Sequence, residues 1–156
     1  MKLTVEFYKK LSSFDKSKLF ESRTKRKTSR ARRLIYKHGT LDVSFPVSIK
    51  IEGRVFYHPA YQCWANMLRR TYYNKNSVKY NPCIVSDEWH SFSNFHMWWK
   101  QNFIEGFELD KDQESILQGL PIATYSPDTC RFIPKWINLL YRKRKDGRLM
   151  EIRQAA

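Results

Sequence analysis

Cysteine is scarce in this chain: 156 residues contain three, Cys63, Cys83 and Cys130, with no Cys-x-x-Cys pair. That excludes a disulfide framework and a four-thiolate zinc site, and a reducing compartment is the default. The cysteine spacing does not argue for a zinc shared with a histidine either. With only five Gly and six Pro, the chain is neither collagen-like nor a flexible linker. No apolar run approaches the roughly 18–20 residues of a membrane-spanning helix. The first six residues lead into no apolar stretch, so no secretory signal peptide is expected. Acidic side chains are the remaining shortage: 15 Asp and Glu face 29 Lys and Arg, a net charge of +14.

Aromatic side chains, in contrast, are plentiful, with five Trp, nine Tyr and ten Phe. Large apolar groups offset ordering entropy, so a mainly disordered chain is excluded, and the length suits one domain with a small appendage. The excess positive charge implies a polyanionic partner, nucleic acid before an anionic membrane surface. It is concentrated between residues 23 and 37, where Arg23, Lys25, Arg26, Lys27, Arg30, Arg32, Arg33 and Lys37 occur without one acid. Such a block repels itself until phosphates neutralise it, so it reads as a solvated arm or exposed helix that contacts nucleic acid. Arg69 and Arg70, and the cluster Arg142, Lys143, Arg144 and Lys145, extend the basic surface.

Periodicity gives the elements. Residues 2–20 suggest one short amphipathic helix with Leu3, Phe7, Leu11 and Phe14 on one side. Val43, Phe45, Val47, Ile49 and Ile51 alternate with polar residues and Pro46, the pattern of a half-buried edge strand. Glu52-Gly53 is a turn signal, and residues 54–57 supply the return strand. Pro59 suits the first turn of a helix whose apolar stripe is Tyr61, Trp64, Leu68 and Tyr72. A polar loop follows at 74–82, then a short strand or turn at 83–89. A second aromatic helix starts near Ser91, carries Phe92, Phe95, Trp98, Trp99 and Phe103, and stops at Gly106. The last third reads as a short strand at 107–109, a long loop at 113–129, a strand at 130–133 and a helix opened by Pro134. The expected organisation is a basic N-terminal helix and arm (1–40), one central domain (41–146) and a tail (147–156).

Asp110 and Asp112 flank Lys111 at a strand end, where two carboxylates offer hard oxygen ligands to magnesium or manganese. Taken alone, Asp-Lys-Asp is more often an exposed charged turn. Its surroundings form a longer pattern. Tyr61, Trp64, Met67 and Arg70 follow a Tyr-x-x-Trp-x-x-Met-x-x-Arg spacing. Glu88, Trp89, Phe92, Phe95 and Trp98 form a second run, and Leu109 to Asp112 spell Leu-Asp-Lys-Asp. Tyr125, Ser126, Pro127, Thr129, Cys130, Phe132, Pro134 and Asn138 complete it. This stretch, about half the chain, resembles a group of phage-encoded HNH-type endonucleases.

The resemblance implies an α+β fold with a small ββα-metal core, preceded by aromatic-rich helices, a short β-hairpin and the basic arm. It implies a metal-dependent, homing-type endonuclease that hydrolyses phosphodiester bonds of double-stranded DNA with one Mg2+ or Mn2+, in the cytoplasm of an infected bacterial host. Asp110 and Asn138 take the metal-ligand positions. Lys111 falls where that pattern has its general-base histidine, and Thr129 where it has the orienting asparagine. The segment before the Tyr-Ser-Pro element, residues 119–124, also lacks the Gly-Asn common in the group. A lysine of ordinary pKa does not deprotonate water at neutral pH, so Lys111 suits a phosphate clamp and Asp112 becomes the nearest water-activating group. His90 and His96 would serve only if the fold brought them close, and they read first as helix-flank histidines; His38 and His58 are weaker candidates still. The alternative is a catalytically silent protein on the same core that binds DNA, RNA or a host protein. Nothing in residues 59–141 asks for a membrane.

Overall fold

The computed structural model describes residues 2–25, 33–73 and 83–140. It is a small mixed α+β fold built from short elements. Two helices open it, α1 (Val5–Lys10) and α2 (Ser13–Glu21). The single helix expected over 2–20 is therefore broken at Leu11 and Ser12. Ser12 is the cause: its hydroxyl accepts from the Asp15 amide and starts a new helix.

Strands β1 (Ser48–Ile51) and β2 (Arg54–Tyr57) form an antiparallel hairpin pairing Ser48 with Tyr57 and Ile51 with Arg54. Its two central residues, Glu52 and Gly53, have φ of 48° and 79°, the left-handed pair that a tight hairpin turn demands. The expected strand began at Val43, yet only its last four residues are paired. Val43, Phe45 and Val47 still point inward and pack on the core as irregular chain. The α1–α2 pair lies on this hairpin, joining Tyr8 and Phe20 to Ile49 and Ile51 in a small apolar cluster.

Helix α3 (Pro59–Tyr72) follows the hairpin, with Pro59 in its first turn and His58 as its cap. Its deepest side chains are Trp64, Met67 and Leu68, while Tyr61 and Tyr72 sit at the margins of the expected stripe. Strand β3 (Cys83–Val85) and a 3-10 turn (Asp87–His90) lead into α4 (Phe92–Asn102). The main core lies between α3 and α4. It buries Trp64, Trp89, Phe92, Phe95 and Trp99, and the Trp64 indole donates to the Trp89 carbonyl at 2.7 Å. Helix α4 ends at Asn102, four residues ahead of the expected stop at Gly106.

Beyond it come β4 (Glu108–Asp110), α5 (Asp112–Leu117), β5 (Ala123–Tyr125), β6 (Arg131–Ile133) and α6 (Lys135–Leu140). The loop expected over 113–129 therefore holds a helix and a strand. β5 pairs in parallel with β3, Cys83 opposite Ala123 and Val85 opposite Tyr125. β4 pairs antiparallel with β6, Glu108 opposite Ile133 and Asp110 opposite Arg131, and α6 follows at once. Among the described residues, no helix is long and apolar enough to cross a membrane.

Candidate functional site

The C-terminal end of β4, the outward face of α3 and the start of α6 enclose a cleft of about 740 Å³. Asp110, Lys111, Asp112 and Asn138 line it, together with Arg70 and Lys135. Four of the five side chains proposed for catalysis thus share one cavity. Thr129 is not among its lining residues. Its buried hydroxyl bonds the Ser126 hydroxyl at 2.6 Å and donates to the Thr124 carbonyl, which folds the Tyr-Ser-Pro-Asp-Thr-Cys segment into a tight turn before β6. The Thr129 side chain is therefore committed to that turn.

Asp110 is 3% exposed. Its two oxygens accept from the amides of Asp112, at 3.1 Å, and Gln113, at 3.0 Å, so it caps the start of α5. This explains why a helix begins directly behind the strand: the carboxylate two residues upstream satisfies amides that a first turn leaves bare. Burial raises the Asp110 pKa against the effect of these two bonds.

Lys111 is also enclosed. Burial opposes its charge, but Tyr125, Asp112 and the hydrogen bond to Asp112 outweigh this and raise its pKa above the ordinary lysine value. Its ammonium lies 3.0 Å from Asp112 Oδ1 and 5.1 Å from the centre of the Tyr125 ring. Lys111 is thus a fixed cation and not a proton acceptor. Asn138 reaches across from α6 and donates to Glu108 Oε2 at 3.0 Å, which engages its nitrogen and leaves the amide oxygen as a donor atom for a ligand.

These groups fit a hard cation of modest demand. Asp110 retains a second lone pair on each oxygen, and Asn138 offers its carbonyl. Mg2+ takes few protein oxygens and fills its shell with water and phosphate. Among the described residues, no three carboxylates or histidines converge in this cleft; the one such cluster, Glu21, His58 and His96, lies elsewhere.

The histidines considered for water activation are committed elsewhere. His90 Nε2 is 2.6 Å from the Tyr72 hydroxyl, and His38 stacks on the Tyr72 ring at 3.7 Å. His96, expected on a helix flank, is buried against Glu21, and His58 is buried beneath α2. Of the tryptophans, Trp64, Trp89 and Trp99 are core, whereas Trp98 is half-buried against Phe132. Trp136 on α6 is exposed, and a second cleft of about 450 Å³ is lined by Tyr36, Tyr57 and Tyr61. Gln62 and Asn66 on α3 line both cavities, so the two adjoin. Nothing in the sequence marked these tyrosines, because three separate segments bring them together.

In the basic block, Arg23, Arg33 and Lys37 are exposed. The Lys25 amide donates to the Ser44 carbonyl. Residues 26–32, carrying Arg26, Lys27, Arg30 and Arg32, lie outside the described residues, as do Arg142, Lys143, Arg144 and Lys145. Arg69 is exposed on α3 and does not line the cleft. No protein-family model, curated protein or solved structure matches this chain.

Proposed function

We propose that this protein is a metal-dependent DNA endonuclease of the HNH type, working in the cytoplasm of a phage-infected bacterium, with β4, β6 and α6 as a ββα-metal core. One observation carries the reading: Asp110, Lys111, Asn138 and Arg70 share a single cleft on an antiparallel strand pair and the helix that follows it. The chemistry suits a phosphodiester. Lys111, held charged, stabilises a phosphate oxygen as negative charge builds in the transition state. Arg70 and Lys135 bind the flanking phosphates. Asp110 and Asn138 would hold Mg2+ or Mn2+, which supplies Lewis-acid polarisation of the phosphate when bound. Asp112, half-buried beside Lys111, accepts the proton of the attacking water. The tyrosine-lined cleft adjoining the site offers aromatic faces on which an unpaired base can stack.

A specific observation supports a second reading, a silent nucleic-acid-binding or host-interaction protein on the same core. Lys111 cannot take a proton, and Thr129 is committed to a turn. A supercoiled-plasmid assay with Mg2+, Mn2+ or EDTA separates the two. The nuclease predicts metal-dependent nicking, lost in Asp110→Asn and reduced about 10²–10⁴-fold in Asp112→Asn. Intact plasmid with a salt-sensitive gel shift would select the silent binder.

A further inference from the structure

Away from the cleft, three elements deliver side chains to one buried point. Glu21 ends α2, His58 caps α3, and His96 lies in the second turn of α4. Glu21 Oε1, His58 Nε2 and His96 Nε2 all lie within 4.8 Å of one another. The carboxylate oxygen is 3.7 Å from His58 Nε2 and 2.7 Å from His96 Nε2. His58 is 0% exposed and His96 5%. Despite this convergence, none of the three atoms makes a hydrogen bond of acceptable geometry. His58 Nε2 is beyond hydrogen-bond reach of the carboxylate, while His96 Nε2 sits at ion-pair distance from it. Buried polar atoms are rarely left without a partner, and His58 Nε2 faces this pair with no hydrogen bond of its own.

We propose that Glu21, His58 and His96 form a site for one transition-metal ion of the Zn2+ class. Two imidazoles and a carboxylate are the borderline donors that such an ion takes. Ligands about 2.0–2.1 Å from a tetrahedral ion stand about 3.3 Å apart, and the observed 2.7 and 3.7 Å bracket that spacing. Burial lowers the pKa of both imidazoles, that of His58 to about 3, although the Glu21 carboxylate works to raise that of His96. Lys100 stands 3.8 Å from Glu21 Oε1, but its side chain is half exposed and free to turn to solvent when the ion enters.

The proton on His58 has to be accounted for. His58 Nδ1 accepts the Ala60 amide at 3.1 Å, so in the metal-free protein the neutral ring carries its proton on Nε2. Coordination through Nε2 moves that proton to Nδ1, with no net release, and sets Nδ1–H against the Ala60 N–H, so the first turn of α3 has to shift as the ion enters. One backbone hydrogen bond is small beside the free energy of a three-ligand zinc site. The ion fastens α2, and the basic segment that leaves it, to the α3–α4 core. This site is independent of the nuclease reading.

The test uses the full chain, stripped with EDTA and then titrated with Zn2+, with Co2+ as the visible probe. One ion per chain, a raised Tm and a tetrahedral Co2+ spectrum are expected. Histidine ¹⁵N correlation spectra should show the His58 proton moving from Nε2 to Nδ1. Glu21→Gln and His96→Gln should weaken uptake by at least about a hundredfold, beyond what removing a supporting group costs. Glu21 is partly exposed, so Glu21→Gln is the milder change if His96→Gln fails to fold. Folded wild-type protein that takes up no Zn2+, uptake unchanged in the folded Glu21→Gln variant, or a His58 proton that stays on Nε2 at saturation would each overturn the proposal.

Discussion

Asp42 sits far from α4 in sequence, yet it is what caps that helix. It accepts from the Ser91 hydroxyl at 2.6 Å, the Ser93 amide at 2.8 Å and the Ser93 hydroxyl at 2.6 Å. Burial works to raise its pKa, but these bonds win and lower it from the ordinary 3.8. A carboxylate with a depressed folded pKa contributes stability above 3.8 that is lost as the pH falls through its folded value. Asp42→Ala should therefore cost about 1 kcal/mol at pH 7, and the difference from wild type should shrink below about pH 3.8. Urea unfolding of both proteins at pH 7 and pH 3 measures this. Asp110 has two roles to separate. Asp110→Ala removes the α5 cap and should lower stability by about 0.5–2 kcal/mol along with any cleavage. Asp110→Asn keeps one accepting oxygen but turns an NH2 toward the other amide, so its Tm should also fall, and nicking, measured well below both unfolding transitions, should be absent.

At the scale of elements, the end of the basic block is stitched to the core. Ile35 and Gly39 exchange hydrogen bonds of 2.8 Å around a turn in which Tyr36 and Lys37 have φ of 47° and 63°. Thr40 then bridges to the start of α4 through the His90 carbonyl and the Phe92 amide. Gly39 makes this close approach possible. A Cβ there would lie 2.5 Å from Leu68 Cδ1 and 2.7 Å from the Trp64 ring, both fully buried. Gly39→Ala should destabilise the fold by about 1–3 kcal/mol, seen as a Tm several degrees lower. Helices α3 and α4 were legible because their apolar spacing persists over three turns or more. Strand β5 and helix α5 were not, because one needs β3 as its partner and the other needs the Asp110 carboxylate.

For the whole molecule, charge is the dominant property. Under the proposed function, a chain at +14 releases counterions as it binds DNA, so the logarithm of affinity should fall linearly with the logarithm of salt concentration. Each phosphate contact contributes about −0.9 to that slope. Lys37 is exposed in the stitched turn. Lys37→Gln should flatten the slope by about 0.9 without changing sequence preference. Fluorescence anisotropy on two unrelated duplexes across a salt series checks both points, and an unchanged slope would remove Lys37 from the interface.

By itself the sequence determined the charge, the aromatic core, the two central helices and the β4 and β6 strands, because composition and short-range periodicity are local properties. It also put Asp110, Lys111 and Asn138 forward, since motif spacing survives without coordinates. Tertiary structure decided what those residues are free to do. Thr129 went to a turn, Asp110 became a helix cap, and Lys111 became a permanently charged group, each through neighbours that spacing does not reveal. It also brought together Glu21, His58 and His96, which belong to three different elements. Chain separation of that kind leaves no periodic trace. Only the packing of α2 against α3 and α4 turns them into one site.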